Sequence, residues 1–584
     1  MGALANSNNL KNGFPTPGPQ NPTGQNVMDH VFFMSKTEWK NAREENNYDL
    51  IIIGSGFCGF AVAERALKND PFCRILMIER GPFFLPEHFQ NLPLPFVNTL
   101  GGLSETFPWT VSANTYMRDD QTIRWQHGMV PFFGGRSTLW SAWCPRPIRE
   151  EFAGWPAQII QAAEENFESA EALLQVQKAD QIDSGRSEAL KKMISEVRPV
   201  YGKLQEVVQT RLKDYGTDVK GIYRTEAAPL ASDAKADDGI DFQKYAVPGE
   251  LLELVMHQRT LAQEGKGAKM DVVANCIVER IYQQEGQATA LQTSRGVLPI
   301  GESDLVLAMG TLPPTTLVRN SFPMAVNPGQ RFSSHFITSI VARVPKKDFK
   351  GHEQFGELEI GACYIAGVAN QSFEQQYHIQ LSALADENPI KNAGRALRYM
   401  PDVVATASMK QLTTSEDYVV FVCAVLGELD FENNQTWFLN NEQDNDLTTN
   451  SLLQVTENER DKETWDAMDE ATFGILEHAL SPLGASGVEY WHGDPNHGDW
   501  KKERPSIQQR RVDAMVHESS TLHISAEESA PVDLDYRVRN TSNVYITGGA
   551  LWPQGGSWNP TLTMVALSQD LADKLTAKKK AKSV

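Results

Sequence analysis

Y-D-L-I-I-I-G-S-G-F-C-G, Tyr48 to Gly59, is the stretch that decides the fold. Tyr48 to Ile53 is a short apolar run rich in β-branched residues, and it leads without a break into a glycine turn. Beyond the turn, Val62, Ala63 and Leu67 fall at helical spacing, and Arg74 to Ile78 reads as a second strand. Strand, glycine turn, helix and strand make a βαβ unit. Gly54, Gly56 and Gly59 form GxGxxG: the first glycine permits the tight turn, the second lets backbone approach a pyrophosphate, and the third lets helix and strand pack closely. Ser55, Phe57 and Cys58 fill the turn, where the helix amino terminus favours phosphate charge. Glu79 lies twenty residues beyond Gly59, at the end of the second strand, placed to accept hydrogen bonds from ribose hydroxyls, and Arg80 follows it. GxGxxG alone is open to a purely structural turn. With the strand, the helix and Glu79 it reads as dinucleotide binding, without deciding between FAD and NAD.

The 584 residues exceed one ordinary core, so two large domains, or one domain interrupted by another, are expected. Apolar, charged, glycine and proline fractions are those of a globular protein. A net charge of −20 without a basic stripe argues against nucleic acid as a partner. The lysine-rich end around Lys578 to Lys582 reads as a solvated terminus, with an interaction tail as the alternative. Six cysteines (Cys58, Cys73, Cys144, Cys276, Cys363, Cys423) are widely spaced and form no CxxC or zinc-like pair, so reduced, buried thiols are expected. No signal peptide is evident and no run reaches the roughly 20 apolar residues that span a bilayer, which predicts a soluble, cytoplasmic protein with no membrane partner. Homo-oligomerisation stays open.

Residues 1–46, broken by prolines and glycines, read as a flexible or surface-wrapping arm. Helical spacing from Pro156 to Gly216, including Glu188 to Leu212, predicts an inserted layer. A strand-like stretch from Asp271 to Ile281 and the run Ser303 to Ala308 extend the amino-terminal domain. Ile337 to Val344, Tyr377 to Leu384 and Tyr418 to Leu426 alternate apolar and polar residues, as in half-buried antiparallel strands. A helix from Trp465 to Leu480 is expected to pack on them. The predicted class is α/β: a Rossmann-like domain from 47–155, 245–335 and 505–584, interrupted by an α+β domain on an antiparallel sheet from 156–244 and 336–504.

Five motifs occur in order along nearly the whole chain: GSGFCG, the ERG at Glu79 to Gly81, GGRSTLW at Gly134 to Trp140, VLAMGTLPPTTLVRNS at Val306 to Ser321, and NPTLTM at Asn559 to Met564. Together they resemble the glucose-methanol-choline (GMC) family of flavoprotein oxidoreductases, and within it the pyranose 2-oxidase branch. The resemblance implies FAD, a discontinuous FAD domain and an intervening substrate domain. It places Gly134, Gly135, Ser137 and Thr138 beside the isoalloxazine and Val273 at the adenine side. Gly310, Gly549, Ala550, Asn559, Pro560 and Thr561 complete the expected cofactor site. Pyranose oxidases carry a flavin-bonded histidine after the Ser-Thr pair; Leu139 stands there in this chain, which implies non-covalent FAD. His127, upstream, does not match that spacing and reads as an ordinary buried or surface histidine.

Taking hydride from an alcohol requires a base for the hydroxyl proton. The resemblance assigns that role to His517, in VHESST, with Asn559, in WNPTLT, as its catalytic partner. His517 alone would read as a core or capping histidine, and its place in the motif reverses that; Asn559 before Pro560 is also good helix-start chemistry. Thr521 and His523 read as supporting residues, and His335, in FSSHF, as packing. Trp552 and Trp558 suit either a stacked substrate or the core. WHGDPNHGDW, Trp491 to Trp500, reads as a loop, with no metal expected. The implied activity is oxidation of an alcohol group on a sugar, glycoside or secondary metabolite, with O2 or a quinone-type acceptor reoxidising the flavin. The alternative is an FAD-containing lyase or isomerase on the same fold.

Overall fold

The computed structural model describes residues 28–29, 31–45, 47–91, 123, 130–182, 200–232, 243–401, 407–444 and 450–582, with short pieces at 10–11, 14–15 and 114–115. His127 and the whole of the Glu188 to Leu212 stretch before residue 200 lie outside them.

Leu50–Ile53 and Ile75–Ile78 are four-residue strands buried along their whole length, as parallel strands covered on both faces must be. They are the centre of a five-stranded parallel sheet in the order Val544–Ile546, Asp304–Leu307, Leu50–Ile53, Ile75–Ile78, Asp271–Val273. The helix Phe57–Asn69 follows the glycine turn and buries Phe60, Val62, Ala63 and Leu67 in the sheet's core. The last helix, Thr561–Lys582, comes from the opposite end of the chain and joins the same core through Leu562, Val565 and Leu571.

The second layer is an antiparallel sheet of eight strands. Ser333–Pro345, Tyr418–Glu428, Gln376–Asp386 and Leu358–Val368 are its long central members, with Ile222–Ala227 at one edge. Glu489–His492 and Asp499–Lys501 extend the other side, and Arg511–Ser519 pairs with Ser333–Pro345. The three alternating segments are all here, each a few residues longer than their periodicity indicates. Leu358–Val368 has ten of its eleven positions buried, so it carries no polar-apolar alternation to announce it. On one face Phe336, Ile340, Tyr377, Ile379, Leu381, Phe421 and Val425 pack beneath the helix Glu459–Gly474, which runs on into a π-helical turn, Ile475–Leu480.

Four expectations change. The arm contains a ten-residue helix, Lys36–Glu45, that docks through Trp39 and Ala42, its indole N–H donating to the Arg295 carbonyl at 3.1 Å. The stretch from Asp271 to Ile281 is two elements, because the parallel strand ends at Val273 and Val278–Gln284 opens a separate three-stranded antiparallel meander. The segment 156–244 is divided between the cores. Ala157–Leu173 buries Ile159, Ala163 and Phe167 with the parallel sheet and the last helix, whereas Lys203–Tyr215 puts Leu204, Val208 and Leu212 under the antiparallel sheet. Finally, WHGDPNHGDW is a hairpin, not a loop: Trp491 pairs with Trp500, and His492 with Asp499.

Candidate active site

The glycine turn separates two kinds of glycine. A Cβ at Gly59 would stand 2.1 Å from the Gly54 carbonyl oxygen, and one at Gly54, whose φ is +104°, would stand 2.4 Å from that of Ala308. Those two positions exclude a side chain through the protein's own packing. Gly56 and Gly310 do not: a Cβ at Gly56 meets only the Gly134 carbonyl oxygen, at 3.8 Å, and one at Gly310 meets nothing within 4 Å. Bare backbone at both places faces open space. The helix that starts after Gly56 has no side-chain cap, so its first N–H groups are available to an anion.

Glu79 is buried at the end of the second strand. Its Oε2 accepts from Ser55 N at 3.1 Å and Ser55 Oγ at 2.5 Å, and its Oε1 accepts from Gly81 N at 2.9 Å. Burial raises its pKa above the ordinary carboxylate range, against those hydrogen bonds. A carboxylate offers about four acceptor positions, so room remains for a further donor such as a ribose hydroxyl. The uncapped turn and buried carboxylate fit a dinucleotide. The carbonyl of Val273 accepts from Glu79 N at 2.8 Å, so that residue's immediate use is to hold the carboxylate's strand.

GGRSTLW folds over this turn. Gly134, at φ +88°, donates its N–H to Ser55 Oγ at 2.9 Å, and Gly135–Thr138 form a 3₁₀ turn closed by Ser137 Oγ on the Gly134 carbonyl at 2.7 Å. Phe57 and Trp140 meet edge to face at 4.7 Å, while Leu139 stands half-buried at the end of the turn. Arg136 reaches across to Glu518, with nitrogen-oxygen distances of 2.6 and 3.1 Å, and so ties the loop to the strand that carries His517. Gly549 and Ala550 lie in a 3₁₀ turn whose carbonyls accept from Ser520 N and Leu522 N. Cys58 is buried against Ser568 and Thr547, which with the other five free, buried thiols matches the reading of reduced cysteines.

His517 sits where the strand Arg511–Ser519 bulges against Ser333–Pro345. Ser333 pairs with Ser519 and His335 with Val516, so His517 and Glu518 fall in the register shift between those pairs. The bulge puts His517 at φ +62° and re-aims its ring. Its Nδ1 meets Nδ1 of His335 at 2.9 Å, the rings being perpendicular with centroids 4.9 Å apart. Nε2 of His335 lies 2.7 Å from the Gly556 carbonyl oxygen. His335 is fully buried, which holds its pKa down to about 4, so the ring is neutral.

Asn559 reaches the same face of the sheet from the other side. Gln380 Nε2 donates to Asn559 Oδ1 at 2.9 Å and stands 3.1 Å from Nε2 of His378. His378 in turn meets the His335 ring at 6.2 Å and stacks on Tyr364 at 5.1 Å. Burial and the neighbouring His335 push the His378 pKa well down, with the Ser557 backbone opposing them, and its Nδ1 is buried without a hydrogen bond. The last helix begins at Thr561, and the Pro560 carbonyl takes the first helical bond, from Met564 N at 2.9 Å. Pro560 therefore occupies the cap position, and the Asn559 side chain is turned to Gln380.

The candidate catalytic residues thus connect to one loop, 553–559, which carries Asn559 and whose Gly556 carbonyl meets the His335 ring bonded to His517. His335, His378, Gln380 and Arg136 were not singled out as part of the site by sequence, and His335, read as packing, is hydrogen-bonded to the expected base. One sequence signal exists: His378, Gln380 and Ser382 alternate along a strand whose eleven positions are all buried, so this polar face is not a solvent face. Thr521 is structural, bonded to Thr315 Oγ1 at 2.7 Å and to the Thr311 carbonyl. His523 is buried, with its pKa held down to about 3. Trp552 and Trp558 pack with Trp155 and Phe152 in an aromatic cluster of the first core. Among the described residues no three metal-ligating side chains gather, and no helix is long and apolar enough to cross a membrane.

A parallel dinucleotide-binding sheet with an open glycine turn, together with an antiparallel sheet that presents histidines, fits a dinucleotide-dependent oxidoreductase, and the comparisons with known proteins make the dinucleotide FAD. Residues 371–568 match the family described as GMC oxidoreductase, whose members use FAD to oxidise CH–OH groups. Among solved structures, pyridoxine 4-oxidase from Mesorbium loti shares the fold, with a TM-score of 0.53 and 14% identity, over 90% of this chain and 99% of that one. A search of the curated proteins gives no match.

Proposed function

We propose that this protein oxidises an alcohol group on a polar small molecule (a sugar, a glycoside or a secondary-metabolite alcohol), with His517 as the base and Asn559 as its partner at the substrate oxygen. The observation that carries this reading is the convergence of His517 and Asn559, from separate elements, on the polar face of one sheet, tied to the GGRSTLW loop through Glu518 and Arg136. Gly54, Ser55, Gly56, Phe57, Cys58, Gly59, Glu79 and Arg80 would hold the nucleotide part of FAD, and Gly134 to Leu139 with Gly310, Gly549, Ala550, Asn559, Pro560 and Thr561 would border the ring. Bound FAD supplies a hydride acceptor at N5. Leu139 offers no bond to the flavin, so the cofactor is held non-covalently.

His517 takes the hydroxyl proton as the carbon gives up its hydride, and the Asn559 amide, its oxygen engaged by Gln380, presents its Nδ2 hydrogens to the substrate oxygen. On the same face Ala366 and Leu426 flank His378 in register, and Tyr364 and Ala424 flank Gln380. The resemblance of the motifs to the pyranose 2-oxidase branch favours a sugar or glycoside, and O2 or a quinone-type compound is the expected final acceptor.

The test is an anaerobic screen of sugars, glycosides and aromatic alcohols for loss of the yellow absorbance, followed by admission of air. Substrate should bleach wild type, and His517→Ala should slow bleaching by about 10²- to 10⁴-fold while binding FAD normally. Undiminished bleaching in His517→Ala removes His517 as the base.

A further inference from the structure

The hydrogen bonds around His335 have a fixed direction, because one of their ends is a peptide carbonyl. The Gly556 oxygen only accepts, so the proton of the His335 ring resides on Nε2, 2.7 Å away. A neutral imidazole carries one proton, and burial keeps this ring neutral. Its Nδ1 is therefore an acceptor, and the contact of 2.9 Å with Nδ1 of His517 requires His517 to be the donor. With its proton on Nδ1, the neutral His517 ring carries its lone pair on Nε2, the form a base needs at that atom.

We propose that His335 is a positioning residue that selects the His517 tautomer: it accepts the Nδ1 proton, fixes the ring plane, and leaves Nε2 as the basic nitrogen. This rests on the reading of His517 as the base. Elsewhere a buried carboxylate can hold a catalytic histidine in its working tautomer. Here a neutral histidine does so, itself oriented by a backbone carbonyl three residues before Asn559. One loop thus orients the base through His335 and carries the base's partner. A neutral acceptor lends the imidazolium less stabilisation than a carboxylate would, so selection of tautomer and orientation is what His335 supplies.

The experiment uses holoenzyme labelled with ¹⁵N-histidine, read by long-range ¹H–¹⁵N correlation, which distinguishes protonated from bare ring nitrogens. The His517 signals are those missing from His517→Asn. Wild type should show His517 protonated on Nδ1 only. His335→Asn, which offers a carbonyl to His517 and an N–H to Gly556, should keep that tautomer. His335→Leu should mix the two forms and slow flavin bleaching at saturating substrate by about 10²-fold, with substrate affinity nearly unchanged. His335→Asn should recover most of that loss. Protonation of wild-type His517 on Nε2, or an unaltered tautomer in His335→Leu, overturns the proposal, and the wild-type spectrum decides even if the leucine variant does not fold. If the tautomer responds as expected while His517→Ala bleaches at the wild-type rate, tautomer selection stands and the assignment of the base falls.

Discussion

At φ +62° the backbone of His517 lies in a region that β strands avoid, and a side chain there costs about 1–3 kcal/mol unless the surroundings hold it. The surroundings do: Val516 and Ser519 are both paired with the neighbouring strand, the Glu518 side chain is clamped by Arg136, and the Glu518 carbonyl accepts from Thr311 Oγ1 at 2.7 Å. The strain coincides with the residue whose direction matters most. Leu139 has the opposite consequence, since it removes a reaction. A hydrocarbon after the Ser137-Thr138 pair has no nucleophile for the flavin, so acid precipitation of holoenzyme should leave the yellow colour in the supernatant. Flavin in the protein pellet would require a covalent link through another residue.

At the scale of elements, the glycine turn performs two tasks that substitution can separate. A Cβ at Gly59 collides with the Gly54 carbonyl at 2.1 Å, so Gly59→Ala should push the helix off the strand, lower the melting temperature of the apoprotein and abolish FAD binding. Gly56 has an ordinary φ of −75° and space for a methyl group. Gly56→Ala should therefore leave the apoprotein's melting temperature nearly unchanged and weaken FAD by tenfold or more, because the methyl occupies the approach of a phosphate. Equal FAD affinity in Gly56→Ala and wild type would place the pyrophosphate elsewhere. The turn was legible in the sequence because its chemistry is local: four consecutive apolar residues, three glycines and a carboxylate lie within about thirty positions. Three of the parallel strands were legible as short apolar runs, and three of the long antiparallel strands by their alternation. His335 was not, because its contact with His517 spans 182 positions and depends on a bulge that no local pattern announces. Gln380 was hidden differently, since polar alternation reads as a solvent face until the layer covering it is known.

For the molecule as a whole, the loop 553–559 joins the aromatic cluster beside the parallel sheet to the antiparallel sheet, and Glu428 holds it. Glu428 is the register partner of His335 across the sheet, and its Oε1 accepts from Gly556 N at 2.8 Å while His335 approaches the carbonyl of the same residue. Its Oε2 is buried without a partner, and burial pushes its pKa up to about 8; Arg460 and Gln554 oppose that shift and Asp430 adds to it. A carboxyl group raised in the fold is protonated there while the unfolded chain has already released its proton, from about pH 4.5 up to about 8. Over that window the unfolded state binds fewer protons, so rising pH costs stability, by about 1.4 kcal/mol per unit for this one group. Glu428→Gln imitates the protonated form and keeps an acceptor for Gly556 N. Asp461, raised to about 7 by burial, and the buried histidines titrate in both proteins, so the difference between them isolates Glu428. Melting temperatures of the two proteins should be nearly equal at pH 5, the variant should gain steadily on wild type towards pH 8, and the gap should stop widening above it. A gap that stays constant across this range would mean that Glu428 is already ionised at pH 5 and that its grip on the loop is that of a carboxylate.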